Sequence, residues 1–310
     1  MSASTWRDYD AVLRMHLLPV FGPMRVDQVE PRHFSAWKEA ALDRGMSPRS
    51  IVRCLITAGQ VFTHAQRHHG LAQNPASGRL VPRPSLKWDR SRFNVLTAAQ
   101  TRAIADAMPH EHGRAAVLIS VWTGVRIGEL VELRWRDVRW ADQRLDVRRS
   151  YGQNGIKAPK SDHGRSVPMT PDLVALLDGL SKREYSTMVD DLVLVDRKGD
   201  RVNSFTLRRA FYAALDDAGL GHLREADPPL RWHDLRHTFA SHAARVMRNL
   251  SDVQALLGHA DLITTQRYTH YQPGARDAEL LATAFAEPDP VEAAVDSRLT
   301  PTREFQTSQA

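Results

Sequence analysis

A basic segment without hydrophobic periodicity separates two patterned parts of this 310-residue chain. Between Val81 and Asn94 there are two prolines, one acid and four cations, which are Arg83, Lys87, Arg90 and Arg92. A charged, proline-containing stretch has no apolar face to bury, so it is typical of a linker. We therefore predict an N-terminal domain over residues 1 to 82, a linker over residues 83 to 94 and a second domain from residue 95.

The N-terminal part predicts a compact helical unit without strands. A first helix is predicted before Pro19 and Gly22 from apolar residues at helical spacing, which are Ala11, Val12, Met15 and Leu18. Pro31 can open a second helix. Ser47, which a proline follows, provides the N-cap of a long third helix that closes at Gly70. This periodicity is compatible with any small helical bundle.

The second part predicts helices together with a small antiparallel sheet. Two capping boxes, Thr97 with Gln100 and Ser251 with Gln254, each open a helix, and the second helix ends at Gly258. The alternation of apolar and polar residues that is typical of strands occurs over residues 144 to 148 and 165 to 169.

The net charge is uneven along the chain. Forty-two lysines and arginines against 36 acids give +6, and residues 287 to 310 carry −3, so the remainder carries +9. A basic body is compatible with a polyanionic partner. The acidic, proline-containing tail over residues 287 to 310 is predicted to be flexible.

Cysteine usage and hydropathy bear on the compartment. The single cysteine, Cys54, excludes an internal disulfide and is what a reducing cytoplasm permits. The chain has neither a signal-peptide-like apolar run at its start nor a stretch of about 18 apolar residues elsewhere. We therefore expect a cytoplasmic protein that is neither exported nor inserted into a membrane.

Short polar motifs in the second part carry the residue types that phosphodiester chemistry needs. The candidate catalytic residues are Arg126, Lys160, His233, Arg236, His259 and Tyr268. Guanidinium forks can hold the non-bridging oxygens of a phosphodiester, a phenol can attack its phosphorus, and an ammonium can protonate the leaving oxygen. The chain is therefore predicted to be an enzyme that acts on a nucleic-acid backbone.

Local spacing places some of these side chains before any fold is known. Arg126 follows a turn at Gly124, and Glu129 can pack behind it and orient it. His233 and Arg236 share one face if the chain is helical from the intervening aspartate onward. Taken alone, either arginine is better explained as a structural ion-pairing residue.

A metal site is the competing interpretation of the histidines. It would use His233, His237 and His242, but only the first two share an i, i+4 face. No acidic base lies between those two in the manner of metalloproteases. The spacing therefore disfavours a metal, and no cofactor is expected.

The order and the local sequences of these motifs resemble those of the tyrosine recombinases, the lambda-integrase-like (phage integrase) family of site-specific DNA strand-exchange enzymes. The resemblance covers about residues 1 to 286. It implies a mainly α fold: a helical core-binding (SAM-like) domain, then a catalytic domain over residues 95 to 286 with a small antiparallel β-sheet.

The resemblance also implies roles for the candidate residues. His233 would assist proton removal from the nucleophile, and His259 would hydrogen-bond the phosphate. Lys160, next to a predicted hairpin turn, would be the general acid, with Lys157 as the alternative. Tyr268 matches the family's Tyr-Thr-His motif and would form a 3′-phosphotyrosyl bond, with Tyr271 as its competitor. That bond conserves energy, so no nucleotide is required.

The implied partner is double-stranded DNA. The four linker cations would contact its backbone, and four protomers would exchange strands through a Holliday junction to integrate or excise a mobile element. An accessory directionality factor is compatible with this activity. The extra N-terminal domain of the larger phage integrases has no counterpart in these residues, so either the enzyme works on simple core sites or its true start lies upstream. Two other functions stay open: a type IB topoisomerase-like nicking–closing enzyme, and a DNA-binding regulator that has lost catalysis.

Overall fold

The computed structural model describes residues 3–85, 93–157, 164–247 and 249–259, together with Thr265 and Tyr268. Several predicted features lie outside these residues: Lys160, Tyr271, the tail 287–310 and three of the four linker cations, Lys87, Arg90 and Arg92. No described helix has the length and apolar composition to cross a membrane.

The N-terminal part is helical within its described residues. Its helices are α1 (Ala3–Val12), a π-helical turn (Leu13–Leu17), α2 (Leu18–Phe21), α3 (Pro31–Asp43) and α4 (Pro48–His68), with a 3-10 turn at Val26–Gln28. The predicted caps are present, since the Ser47 hydroxyl accepts from the Ser50 amide at 3.2 Å and Gly70 adopts a φ of +68°. The prediction of a strand-free helical unit is confirmed.

The first helix differs from its predicted form around Pro19. The helix continues through the proline to Phe21, because the π-helical turn makes room for the proline ring. In this turn the Leu18 amide donates to the Leu13 carbonyl, five residues back. In an α-helix the same amide would donate to the carbonyl four residues back. The wider turn also shifts the helical phase. Leu17 is buried, whereas Met15 is 70% exposed and Leu18 51% exposed, so the predicted apolar face is wrong at those two positions.

Three groups of buried apolar side chains form in the described residues, and the smallest of them lies within residues 240 to 268. The first lies within residues 12 to 81 and is centred on Phe34, which stacks on Phe21 at 4.4 Å and meets Phe62 edge-on at 5.6 Å. The second lies within residues 96 to 235 and is built around one central helix.

The second part combines helices and short strands. The helices are α5 (Ala98–Asp106), α6 (Glu111–Thr123), α7 (Ile127–Leu130), α8 (Pro171–Ser181), α9 (Ser204–Asp217), α10 (Asp234–Val246) and α11 (Leu250–Leu257), with 3-10 turns at Trp135–Asp137 and Gly221–Arg224. The strands are β1 (Val138–Arg139), β2 (Arg144–Val147), β3 (Ser150–Gly152), β4 (Gly155–Lys157) and β5 (Arg165–Pro168).

The predicted antiparallel pairing is confirmed. Strand β2 pairs with β5 with Leu145 opposite Val167, and β1 joins the other edge of β2. Strands β3 and β4 form a separate hairpin that packs on α7. Helix α6 is buried along nearly its whole length because α5, α8, α9 and α10 all pack against it.

Of the two predicted capping boxes, one is present. The Thr97 hydroxyl accepts from the Gln100 amide at 3.1 Å, and the Gln100 side chain accepts from the Thr97 amide at 2.9 Å. The box at Ser251 is wrong, because α11 begins at Leu250 with Asn249 in the N-cap position, two residues before Ser251. The Gln254 side chain instead donates to the His259 carbonyl at 2.9 Å, beyond the predicted helix end at Gly258.

Candidate active site

A pocket of about 380 Å³ lies beside the N-terminus of α10 and is rich in arginine. Its walls come from the turn between α6 and α7, from α9, and from the segment that enters α10: Val125, Arg126, Ile127, Arg208, Tyr212, Arg231, Trp232, His233 and Arg236. Three of the six predicted catalytic residues, Arg126, His233 and Arg236, therefore meet in one pocket although about 110 residues of chain separate them.

The turn that presents Arg126 requires glycine at position 124. Gly124 ends α6 with a φ of +63°, and a Cβ atom there would overlap the Phe239 ring of α10. Arg126 then takes an extended conformation as the N-cap of α7, and its side chain is 44% exposed. This local geometry turns the guanidinium out of the core and into the pocket.

Glu129 orients two arginines. Its carboxylate accepts from the Arg126 guanidinium and backbone amide, both at 2.8 Å, and from Arg165 at 2.6 and 3.1 Å. Burial alone would raise the pKa of Glu129, but the hydrogen bonds and charge of Arg165, with those of Arg126, outweigh it and lower the pKa from 4.5 to about 2. The carboxylate is therefore ionised at neutral pH, as an orienting partner must be.

Arg236 is almost completely buried, with 2% of its surface exposed. Its two terminal nitrogens donate to the carbonyls of Gly124 and Leu257, each at 2.5 Å. Burial first, and then repulsion from Arg126 and Arg165, lowers the pKa of Arg236 to about 9. The guanidinium stays charged at neutral pH, and no carboxylate of the described residues forms an ion pair with it, so an incoming anion would stabilise it.

His259 and Tyr268 are not among the residues that line the pocket. His259 follows Gly258, which ends α11 with a φ of +62°, and its Nδ1 is 2.8 Å from the Thr265 hydroxyl. Tyr268 is 7% exposed, and its ring packs among apolar side chains of α10 and α11. Arg236 connects this region to the pocket through its bond to the Leu257 carbonyl.

The Tyr268 hydroxyl contacts a histidine that the sequence did not assign to catalysis. It lies 2.6 Å from Nδ1 of His237, a residue that entered the sequence analysis only as a possible metal ligand. Nowhere in the described chain do three or more histidine, cysteine or acidic side chains converge as metal ligands. His242, the third member of the proposed metal site, contacts the Leu96 carbonyl at 3.1 Å instead.

Four further contributors to the pocket region were not predicted from the sequence. Arg208 and Arg231 are exposed pocket residues on separate elements, so no spacing in the sequence joins them. The buried indole N–H of Trp232, another lining residue, donates to no acceptor in the described part of the chain. Arg165 belongs to the Arg-x-Val-Pro segment that follows Lys160, and that segment was the one available signal.

Of the two candidate general acids, only Lys157 lies within the described residues. Lys160 lies outside the described residues. Lys157 is the exposed last residue of β4, paired with Ser150 of β3. Gly128 of α7 allows this hairpin to approach closely, because a Cβ atom there would lie 2.7 Å from the Ser150 hydroxyl. The hairpin that ends at Lys157 therefore packs through β3 on α7, the helix that follows Arg126.

Residues 94–274 match the model of the phage integrase family, and this match spans more than half of the chain. The chain belongs to the phage integrase family. The earlier predictions of a tyrosine recombinase, of its mainly α fold and of a tyrosine-type site-specific recombinase activity are thereby confirmed.

Relatives of this family member come from several bacteria. It is 31% identical over 229 residues to the tyrosine recombinase XerC of Pseudomonas aeruginosa, a match that covers 73% of this chain and 70% of the relative. It is 32% identical over 283 residues to a prophage phiRv2 integrase of Mycobacterium tuberculosis, covering 88% of this chain and 71% of the relative.

Solved structures agree on the fold of this integrase-family chain. The Tn1549 transposon integrase in complex with transposon right end DNA superposes with a TM-score of 0.72 at 17% identity, covering 93% of this chain and 95% of the other. A lambda integrase tetramer bound to a Holliday junction gives 0.69 at 20% identity, covering 88% and 74%. At these identities the likeness establishes the fold alone.

Proposed function

We propose that this recombinase cuts and rejoins duplex DNA by transferring a DNA 3′ phosphate to Tyr268. The observation that carries the proposal is the charge balance of the pocket. Four arginines line it, whereas the nearby carboxylate of Glu129 is already shared between Arg126 and Arg165. A phosphodiester is the anion that such a pocket suits, because guanidinium forks match its non-bridging oxygens.

In this proposal the charged groups stabilise different parts of the transition state. Arg126 and Arg236 hold the non-bridging oxygens, where negative charge increases as the phosphorus becomes five-coordinate. His259 is proposed to add a hydrogen bond to the same oxygens. His233 lines the pocket wall, so we propose that it also contacts the phosphate, in place of the proton removal that the resemblance implied. Lys160 is proposed as the acid that protonates the leaving oxygen, with Lys157 as the alternative.

The covalent step balances without an external cofactor. The Tyr268 oxygen loses its proton and bonds to phosphorus, and the bond from phosphorus to the 5′ oxygen breaks. The leaving oxygen takes a proton from the lysine and becomes a 5′ hydroxyl. The reverse reaction, with the 5′ hydroxyl of another strand as the nucleophile, releases the tyrosine and joins the new strands.

The wider organisation of the reaction is also a proposal. We propose that residues 1–82 and 95–286 are two DNA-binding domains joined by a basic linker, and their support is the two separate apolar cores within residues 12–81 and 96–235. Of the proposed linker contacts, Arg83 is exposed and lines a polar groove along α4.

The assembly and the biological role of this protein are proposed by analogy with its relatives and structural neighbours. We propose that four protomers act together on a synapsed junction, by analogy with the lambda integrase tetramer bound to a Holliday junction. Mobilisation of a phage or transposon on bacterial DNA, in the cytoplasm and with an accessory directionality factor, is proposed from the prophage and transposon integrases among the relatives and structural neighbours.

A suicide-substrate assay tests the proposal. A nicked DNA carrying the recombination site traps the covalent adduct, since the short strand diffuses away after cleavage. The wild type is expected to form the adduct and Tyr268→Phe to form none while it binds the DNA normally, because only one hydroxyl is lost. Tyr271→Phe is the matched control and should retain full yield.

Each contrary result identifies another function. Absence of an adduct from the wild type would indicate a DNA-binding regulator. Relaxation of supercoils that lack the site would indicate a topoisomerase. Loss of the adduct in Tyr271→Phe instead of Tyr268→Phe would reassign the nucleophile.

A further inference from the structure

The side chain that touches the Tyr268 hydroxyl is His237. Its Nδ1 lies 2.6 Å from the hydroxyl oxygen, which is hydrogen-bond distance for a proton transfer between the two atoms. The two residues are 31 positions apart in the chain, so this contact exists only because Tyr268 packs against α10.

His233 lies one helical turn before His237, at the rim of the pocket. The two imidazole rings meet edge-on with centroids 4.9 Å apart, so His237 lies between His233 and the tyrosine. His233 lines the arginine pocket, whereas His237 contacts the nucleophile. This arrangement divides two tasks, phosphate contact and proton acceptance, between residues i and i+4 of one helix face.

Aromatic packing holds His237 in this orientation. Phe93 stacks on the imidazole with a centroid separation of 4.9 Å and an interplanar angle of 24°. The same phenyl ring meets the Tyr268 ring edge-on at 5.2 Å. Because one side chain contacts both partners, the donor and the acceptor are fixed relative to each other before DNA reaches the site.

We propose that His237 is the proton acceptor for Tyr268 during strand cleavage, and the donor that returns the proton during ligation. The inference rests on the proposed role of Tyr268. The phenolic proton moves to Nδ1 of the neutral ring, the phenolate oxygen bonds to phosphorus, and His237 carries the positive charge. When a 5′ hydroxyl later attacks the phosphotyrosine, the imidazolium protonates the departing tyrosine oxygen.

The test measures single-turnover cleavage of a nicked substrate whose bridging 5′ oxygen is replaced by sulfur. A thiolate leaves without protonation, so the general acid no longer limits the rate and activation of the tyrosine does. Three variants are compared with the wild type: His237→Phe keeps a ring against Phe93, His237→Asn can still hold the hydroxyl, and His237→Ala leaves space for imidazole from solution.

We expect His237→Phe and His237→Asn to cleave about 100-fold more slowly than the wild type, with DNA affinity and thermal midpoint unchanged. Added imidazole should raise the rate of His237→Ala by about tenfold or more and leave the wild type unaffected. His242→Phe, the matched substitution on the same helix, should cleave within about twofold of the wild type, because the ring of His242 contacts the Leu96 carbonyl and not the tyrosine hydroxyl.

Two results would overturn the assignment while leaving the proposed function intact. Wild-type cleavage by His237→Asn would show that the residue only positions the hydroxyl, since an amide accepts a hydrogen bond but not the proton. A loss in His237→Ala that imidazole does not restore would exclude a base at this position. Failure of the proposed function looks different, because the wild type itself would then form no adduct.

Discussion

Two arginine-rich clusters lie close together in the chain, one around Glu132 and one around Glu129, and they differ in how their charge is balanced. The Glu132 side chain is fully buried and receives Arg134 at 2.9 Å and Arg201 at 2.6 Å. Arg149 reaches the neighbouring buried carboxylate, Asp137, at 2.5 Å. In this cluster every arginine has a carboxylate partner within reach.

The cluster around Glu129 has cations in excess. Glu129 is shared by Arg126 and Arg165, while Arg236 donates to two neutral carbonyls. Arg208 and Arg231 add two further exposed guanidinium groups to the same pocket, and neither has a carboxylate among the ion pairs of the described residues. Arginine side chains therefore stabilise the fold in the Glu132 cluster and form an anion site in the Glu129 cluster.

The difference shows that the partner, and not the arginine itself, decides the role. In the Glu132 cluster two buried carboxylates hold three arginines and tie elements together, and Arg201 also stacks over the Tyr151 ring at 4.1 Å. A guanidinium held by carbonyls keeps its charge for a ligand. Three predictions follow from this contrast, from the largest expected effect to the smallest.

The strongest test replaces one arginine from each cluster. Arg236→Lys should lower adduct formation on the nicked substrate by about 100- to 1,000-fold, because an ammonium cannot hold both carbonyls and a non-bridging oxygen. Arg201→Lys should lower the thermal midpoint but change the cleavage rate by less than about threefold. Equal losses of cleavage in the two variants would remove the distinction between the clusters.

The second prediction concerns Glu129 and the pH dependence of the free energy of unfolding. Its pKa is lower in the folded protein, about 2, than its ordinary value of 4.5, so its stabilising contribution is present above pH 4.5 and is lost as pH falls toward 2. The full shift corresponds to about 3 kcal/mol. Glu129→Gln should therefore lower the free energy of unfolding by up to about this amount at pH 7.

Urea unfolding at several pH values measures this effect. The difference in unfolding free energy between the wild type and Glu129→Gln should shrink as pH decreases from 4.5 toward 2. Glu39→Gln is the control, since Glu39 is exposed and its ion pair with Lys38 spans 3.3 Å at the surface, and it should change little at any pH. A difference that does not vary with pH would mean that the Glu129 carboxylate is not stabilised by its arginines.

The smallest effect concerns the two exposed pocket arginines. Replacing Arg208 and Arg231 together by alanine should flatten the slope of log K for DNA against log salt by up to about 2 units, since each neutralises about one phosphate. The control pair is Arg136→Ala with Arg139→Ala, because Asp190 and Asp142 already pair with these exposed arginines. An equal change in both pairs would show a general charge effect instead of a pocket.

Local features of the fold could be predicted from the sequence because neighbours in the chain decide them. The Ser47 and Thr97 caps, the glycine turn before Arg126 and the approach of Glu129 to Arg126 all involve residues at most three positions apart. The wrong predictions are local too. The π-helical turn before Pro19 changed the buried face, and the N-cap of α11 lies two residues before the expected Ser251.

The set of six candidate residues is the other part that the sequence determined. Their types and order indicated phosphodiester chemistry and the family before any coordinates, because each motif is a short string with its own turn or helix end. Nothing in those strings states which side chains touch. No sequence signal distinguished His237 from any other histidine that lies one helical turn from a motif.

Tertiary structure alone decided the contacts that give the site its chemistry. Arg165 reaches Glu129 across 36 positions, Tyr268 meets His237 across 31, and Arg236 joins Gly124 across 112. Such contacts depend on how β5, α10 and α6 pack around a shared core, and packing is a property of all those elements together. The burial that lowers the pKa of Arg236, and the excess of positive charge in the pocket, arise only when those elements meet.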